Sequence, residues 1–159
     1  MDRADLRIET TITDSQIDEL IYHSTNDQQV IIKTSDPTRF KDRQAFNDWL
    51  QNKPSLYVLT DATSKLLGFA WVQKLSNPLI QSEFDTTAAI RLYGDARGKG
   101  LSSWFLDEAL TNYGEANYWL RTSSDNVSAI KTYERLGFEI VSSPDKENKM
   151  ILVRHSAEN

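Results

Sequence analysis

The run Leu92-Tyr93-Gly94-Asp95-Ala96-Arg97-Gly98-Lys99-Gly100-Leu101-Ser102 constrains this chain more than any other stretch. Before it, Thr86-Thr87-Ala88-Ala89-Ile90-Arg91 is small and β-branched enough for a buried strand. After it, Leu101, Phe105 and Ala109 fall on one helical stripe, with Leu106, Leu110 and Tyr113 beside it. A strand, a glycine-rich turn and a helix, in that order, leave successive backbone N–H groups unpaired and aimed at one point. The helix dipole adds to them, and phosphate is the usual occupant. Glycine at 98 and 100 lets the backbone approach the oxygens and reaches turn conformations that a Cβ disfavours. Arg97 and Lys99 add positive charge beside this nest. Taken alone, the segment reads equally well as a tight turn.

The chain around it is one of 159 residues, long enough to bury a real core as a single domain over 1–159. With 39% hydrophobic and 26% charged residues it has the composition of a soluble globular protein. Its net charge of −5 leaves no basic stripe for a phosphate backbone, which argues against nucleic acid and suits an amine partner. Cysteine is absent, which excludes disulfides, thiolate nucleophiles and cysteine-held metal. Met1-Asp2-Arg3-Ala4-Asp5 opens without an apolar core, and no apolar run is long enough to span a membrane. The expected setting is cytoplasmic, with no membrane and no metal.

Periodicity orders the rest. Leu6–Ile12 alternates as a first strand, and Thr13 or Asp14 caps a helix with Ile17, Leu20 and Ile21 on one face. Ser24–Gln29 reads as a polar break, Val30-Ile31-Ile32 is undecided, and Ser35–Thr38 is a turn. A helix is expected over Phe40–Gln51, presenting Phe46, Trp49 and Leu50. Leu56–Thr60 and Leu67–Val72 form a hairpin, and a loop opening at Ser76-Asn77-Pro78 reaches about Asp85. Gly114 ends the central helix, Asn117–Thr122 is a strand, and Asp125 or Asn126 caps a helix bearing Ala129, Ile130, Tyr133 and Leu136. Gly137 stops that helix, and Phe138–Val141 with Met150–Val153 forms a last hairpin. The fold class is mixed α/β.

Asn126 and Tyr133 lie nearly two helical turns apart, so both project from one face at about 10 Å. As isolated residues they read as a cap and a core aromatic. Together with the glycine-rich turn they resemble the GNAT superfamily of acyl-CoA-dependent N-acetyltransferases. That family's first signature is matched by Arg97-Gly98-Lys99-Gly100-Leu101-Ser102. Its second is matched by Asn126-Val127-Ser128-Ala129-Ile130-Lys131-Thr132-Tyr133-Glu134-Arg135-Leu136-Gly137-Phe138. Two positions depart from the pattern: Ser102 stands where Gly or Ala is usual, and Gly94 where many members carry Pro.

The resemblance implies a mixed sheet of about six or seven strands flanked by about four helices, with the central strand and the Tyr118–Thr122 strand splayed apart. It implies acetyl-CoA as co-substrate, with the pyrophosphate on the amides of Gly98, Lys99, Gly100, Leu101 and Ser102, beside Arg97. It implies backbone near Leu92 bonding the pantetheine arm and polarising the thioester carbonyl, with Asn126 holding that arm. Tyr133 is the implied general acid for the departing thiolate. The positions where some members carry a carboxylate base are Thr87, Ala88 and Ala89, so the base is unassigned. The implied acceptor is a small-molecule or peptide amine, near Tyr22, His23, Phe46, Trp49, Glu83 and Asp85, and a homodimer is compatible. A non-catalytic acyl-CoA-binding sensor or interaction module is the alternative.

Overall fold

The computed structural model describes residues 2–34 and 36–157. Seven strands form one sheet in the order β1-β2-β3-β4-β5-β7-β6, and five α-helices accompany them. Contacts gather the chain into two compact units, Met1–Trp71 with Ile90–Leu101 and Val72–Ala89 with Ser102–Asn159. Strands β3 (Leu66–Lys74) and β4 (Thr86–Leu92) each carry residues of both.

In the first unit, a short 3-10 turn at Arg3–Asp5, capped by the Asp2 carboxylate, precedes strand β1 (Arg7–Glu9). It pairs antiparallel with β2 (Ser55–Thr60), Arg7 opposite Thr60 and Glu9 opposite Val58. The strand is shorter than the alternation predicts, because Thr10 onward is drawn into the lead of a helix. That helix, α1 (Asp14–Asn26), begins with a capping box. Thr13 Oγ1 accepts from the Gln16 amide, and Gln16 Oε1 accepts from the Thr13 amide. Gln16, though buried, also donates to the Ser64 carbonyl at 3.0 Å.

The expected polar break at Ser24–Gln29 is mostly helix. Ser24 and Thr25 turn their hydroxyls back onto the carbonyls of Leu20 and Ile21, so polar residues complete the last turn of α1. The chain breaks at Asp27 alone, whose carboxylate caps α2 (Gln28–Lys33) by accepting from the Gln29 amide. The undecided Val30-Ile31-Ile32 therefore lies in a helix, with Val30 buried and Ile32 exposed. This helix is why five stand where about four were expected.

Of the turn predicted at Ser35–Thr38, Ser35 lies outside the described residues. Asp36 makes an Asx turn, accepting from the Thr38 amide at 2.9 Å. Helix α3 (Arg43–Leu50) starts three residues later than Phe40, because the Asp42 side chain caps it through the Ala45 amide. Phe40, left in the preceding turn, packs edge-on against Trp49 and Trp71, with Phe46 and Phe69 completing an aromatic core. Burial of these five rings stabilises this unit by on the order of 2 kcal/mol for each.

In the second unit, β4 pairs parallel with β5 (Tyr118–Ser123) only at Thr86–Tyr118 and Thr87–Trp119. On its other side β5 stays paired antiparallel with β7 (Lys149–Arg154) over its whole length, from Tyr118–Arg154 to Ser123–Lys149. Among the described residues, Thr86–Tyr118 and Thr87–Trp119 make up the β4–β5 ladder. The short strand β6 (Glu139–Ile140) closes the edge against β7. Phe84, Trp119, Ile151 and Val153 form a core cluster on this sheet, with Ile80 packed against it.

Helix α4 (Ser102–Tyr113) buries Phe105, Leu106, Ala109 and Leu110, the stripe that the sequence predicts. Gly114 follows at φ +111°, donating back to the Leu110 carbonyl. Helix α5 (Val127–Arg135) ends in a Schellman motif, in which Gly137 at φ +91° donates to Glu134 and Phe138 donates to Tyr133. Within its expected apolar face, Ala129, Ile130, Tyr133 and Leu136 are only half-buried.

Candidate functional site

The glycine-rich turn begins where β4 ends. Gly94–Ala96 forms a 3-10 turn, Arg97 returns to extended backbone, and the chain then passes Gly98 at φ +73° and Gly100 at φ +71° into α4. Both values lie in the left-handed region, where a Cβ is strained. A Cβ at either glycine would meet no heavy atom within 4 Å, so the glycines are not demanded by neighbouring packing. Within the described residues of the first unit, the amides of Gly98, Lys99, Gly100 and Leu101 donate to no backbone carbonyl. Gly98, Lys99 and Gly100 are exposed, and no acidic residue sits in the first turn of α4. Open amides, left-handed glycines and a helix start free of negative charge fit a phosphate group.

Arg97, expected beside the phosphate nest, is also engaged within the chain. Its Nη1 donates to Asp27 Oδ2 at 2.7 Å and to the Leu92 carbonyl at 3.2 Å. Burial alone would raise the Asp27 carboxyl, but the Arg97 hydrogen bond and charge, with the Gln29 and Val30 amides, together hold it below the ordinary carboxylate range. The guanidinium therefore braces the turn between the end of β4 and the start of α2. Lys99 remains as the exposed cation of the turn.

In the second unit, Ser102 lies with its Oγ 3.3 Å from Thr132 Oγ1, which ties the first residue of α4 to α5. Asn126 is the N-cap of α5: its Oδ1 accepts from the Ala129 amide, and its Nδ2 has no partner among the described residues. Tyr133 is half-buried, its ring 6.2 Å from that of Phe138. At the strand positions where a base would stand, Thr87 Oγ1 donates to the Trp119 carbonyl at 2.8 Å, and Ala88 and Ala89 carry no titratable group.

The expected acceptor residues divide. Phe46 and Trp49 belong to the aromatic core, and Tyr22 is exposed. Asp85 pairs with Lys74 at 3.5 Å and accepts from Thr86 Oγ1, while Glu83 is exposed. His23 is half-buried and lies flat on Tyr93, with ring centroids 4.4 Å apart. Its pKa is lowered, first by burial and further by Arg97 and Lys65, against the raising fields of Asp27 and Glu19. Tyr93 is the residue that sequence reasoning passed over. It is buried, and its hydroxyl has no hydrogen-bond partner among the described residues. No single-residue signal marks it, since it reads as one more aromatic after a strand.

Among the described residues, no group of His, Cys, Asp or Glu could hold a metal ion, and no helix is long and apolar enough to cross a membrane.

These features can be set beside known proteins. Residues 19–138 match the acetyltransferase (GNAT) family. Over 101 residues, 59% of this chain, it is 31% identical to a mycothiol acetyltransferase from Mycobacterium sp. (strain JLS). That stretch is 32% of the relative's length, so the chain spans about a third of it. The fold is similar to that of a spermidine N-acetyltransferase from Vibrio cholerae, solved with CoA and spermine, at a TM-score of 0.72 and 14% identity over 94% of each chain. It is also similar to that of a phosphinothricin acetyltransferase from Sinorhizobium meliloti, solved with AcCoA. There the TM-score is 0.70 and the identity 17%, over 98% of this chain and 90% of the other. With the family match covering most of its length, the chain belongs to the acetyltransferase (GNAT) family.

Proposed function

We propose that this chain is an N-acetyltransferase that moves an acetyl group from acetyl-CoA to a primary amine by direct attack. The observation that carries the reading is the turn at Arg97–Ser102, where two left-handed glycines leave a row of backbone amides open at the start of a helix. Acetyl-CoA supplies the activated acyl group when bound.

In this reading the amides of Gly98 to Ser102 bind the pyrophosphate, and Arg97 fixes the turn through Asp27 instead of meeting the anion itself. The backbone at Leu92 orients the thioester carbonyl, Asn126 offers its unpartnered Nδ2 to the pantetheine amides, and Tyr133 supplies a proton from its hydroxyl to the leaving sulfur. The chain has no cysteine to carry an acyl group, so the amine attacks directly. No carboxylate stands at Thr87, Ala88 or Ala89 to act as base, and an amine arriving neutral needs none. A small-molecule or peptide acceptor, a single catalytic domain and a cytoplasmic setting go with this reading, and nucleic acid has no place in it.

The test is a panel of primary amines incubated with acetyl-CoA, with free CoA release as the readout. Turnover on at least one amine is expected. Binding of acetyl-CoA without turnover on any would favour the alternative, an acyl-CoA sensor.

A further inference from the structure

A recess in the first unit brings together residues that are far apart in sequence. Arg39, from the turn before α3, and Arg91, from β4, both lie against the Trp71 ring, with guanidinium carbons 5.1 and 5.6 Å from its centre. Thr34 and Tyr93 line the same recess. Arg91 is held by the Ile90 carbonyl at 2.8 Å and by Thr34 Oγ1 at 3.4 Å. Neither guanidinium pairs with a carboxylate among the described residues. Asp36 is the one acid of the lining, and its Oδ1 is taken up by the amide and hydroxyl of Thr38.

Two observations independent of each other mark this as a binding place. Like charges have been brought to one aromatic ring: burial and the Arg91 charge both lower the Arg39 pKa, with Asp36 opposing. An arrangement of that kind is stabilised by an anion. The second is the Tyr93 hydroxyl, which is buried without a partner among the described residues in the wall of the same recess. An unpaired buried donor is costly, and a ligand oxygen that reaches it removes that cost. Burial also raises the Tyr93 pKa, so the phenol keeps its proton and donates. Two guanidiniums on one ring, in a recess that Tyr93 also lines, match a planar carboxylate.

We propose that this recess binds a carboxylate carried by the acyl acceptor, so that the amine to be acetylated belongs to an amino acid or a similar amino-carboxylate. The proposal rests on the N-acetyltransferase reading and narrows its substrate class. It also reverses what the net charge suggests: the acidic chain keeps a locally cationic pocket.

Four matched pairs test it, each an acid and the amine lacking only its carboxylate: glycine and methylamine, β-alanine and ethylamine, L-phenylalanine and phenethylamine, L-lysine and cadaverine. Two readouts are taken on the full chain with CoA or acetyl-CoA saturating: the thermal shift given by each compound, and kcat/KM from CoA release. At least one acid should stabilise the protein where its amine partner does not, and should be preferred in turnover by about tenfold or more. Arg39→Gln and Arg91→Gln should bring that preference close to one. Tyr93→Phe is the variant least able to disturb folding, since it deletes an unpaired buried hydroxyl, and it too should lose the acid-specific shift. Stabilisation by none of the acids, or equal stabilisation of wild type and all three variants, overturns the proposal. Wild-type protein that CoA itself fails to stabilise contradicts instead the reading on which the proposal rests.

Discussion

The imidazole of His23 lies parallel to the ring of Tyr93, with an interplanar angle of 0° and centroids 4.4 Å apart. The stack joins α1 to the residue just after β4. Four residues on, Asp27 holds Arg97, which also grips the Leu92 carbonyl. His23, Asp27, Tyr93 and Arg97 therefore tie the α1–α2 junction to the start of the glycine-rich turn.

Burial in that stack keeps His23 neutral at pH 7, since its pKa is lowered from the ordinary 6.5. The sign follows from proton uptake: the unfolded chain protonates His23 near 6.5, and the folded chain only at lower pH. The stabilisation from His23 is therefore complete above 6.5 and is lost as pH falls through the folded value. An NMR titration of the imidazole should give a midpoint below 6.5. A midpoint above it would show that the field of Asp27 and Glu19 outweighs burial.

Asp27→Asn should destabilise the protein by about 1–2 kcal/mol, because it leaves the Arg97 guanidinium without its anion. The Arg97 side chain is 35% exposed, so water takes up part of the loss and the figure stays near the lower bound. The folded Asp27 carboxyl lies below its unfolded value, so its contribution is present above about pH 4 and fades as pH falls through the folded value. Denaturant melts of wild type and variant should accordingly converge in acid. A constant gap at every pH would mean that the loss is one of packing.

Helix α4 and the caps at Gly114 and Gly137 were legible because periodicity and glycine placement are local signals. The α1–α2 boundary was not, since Ser24, Thr25 and Asn26 read as a break until their side chains are seen bonded to the preceding turn. Arg97 was legible as part of a motif but not as the partner of Asp27, which lies 70 residues earlier. The recess of Arg39, Arg91 and Tyr93 was invisible for the same reason, because only the folded sheet brings the turn after α2 to the end of β4. The helical spacing of Phe46 and Trp49 marks them as core, and both are buried.

Tyr133→Phe removes only a hydroxyl, so folding and CoA affinity should change little. Single-turnover acetyl transfer at saturating acetyl-CoA should slow by about 10²-fold, the lower end for a lost general acid, because a thiolate is already a fair leaving group. Transfer at the wild-type rate would mean that Tyr133 serves the packing of α5 and nothing more.

The central claim is that the turn at Arg97–Ser102 holds the pyrophosphate of acetyl-CoA, and thermal unfolding with and without CoA tests it most directly. At a hundredfold excess over Kd the melting temperature of the wild type should rise by about 5–10 °C, since only the folded turn presents its amides together. Gly100→Asp puts a Cβ at φ +71° and a negative charge where the phosphate would sit, and should abolish the shift. A folded wild-type protein whose melting temperature does not move at millimolar CoA would contradict the account.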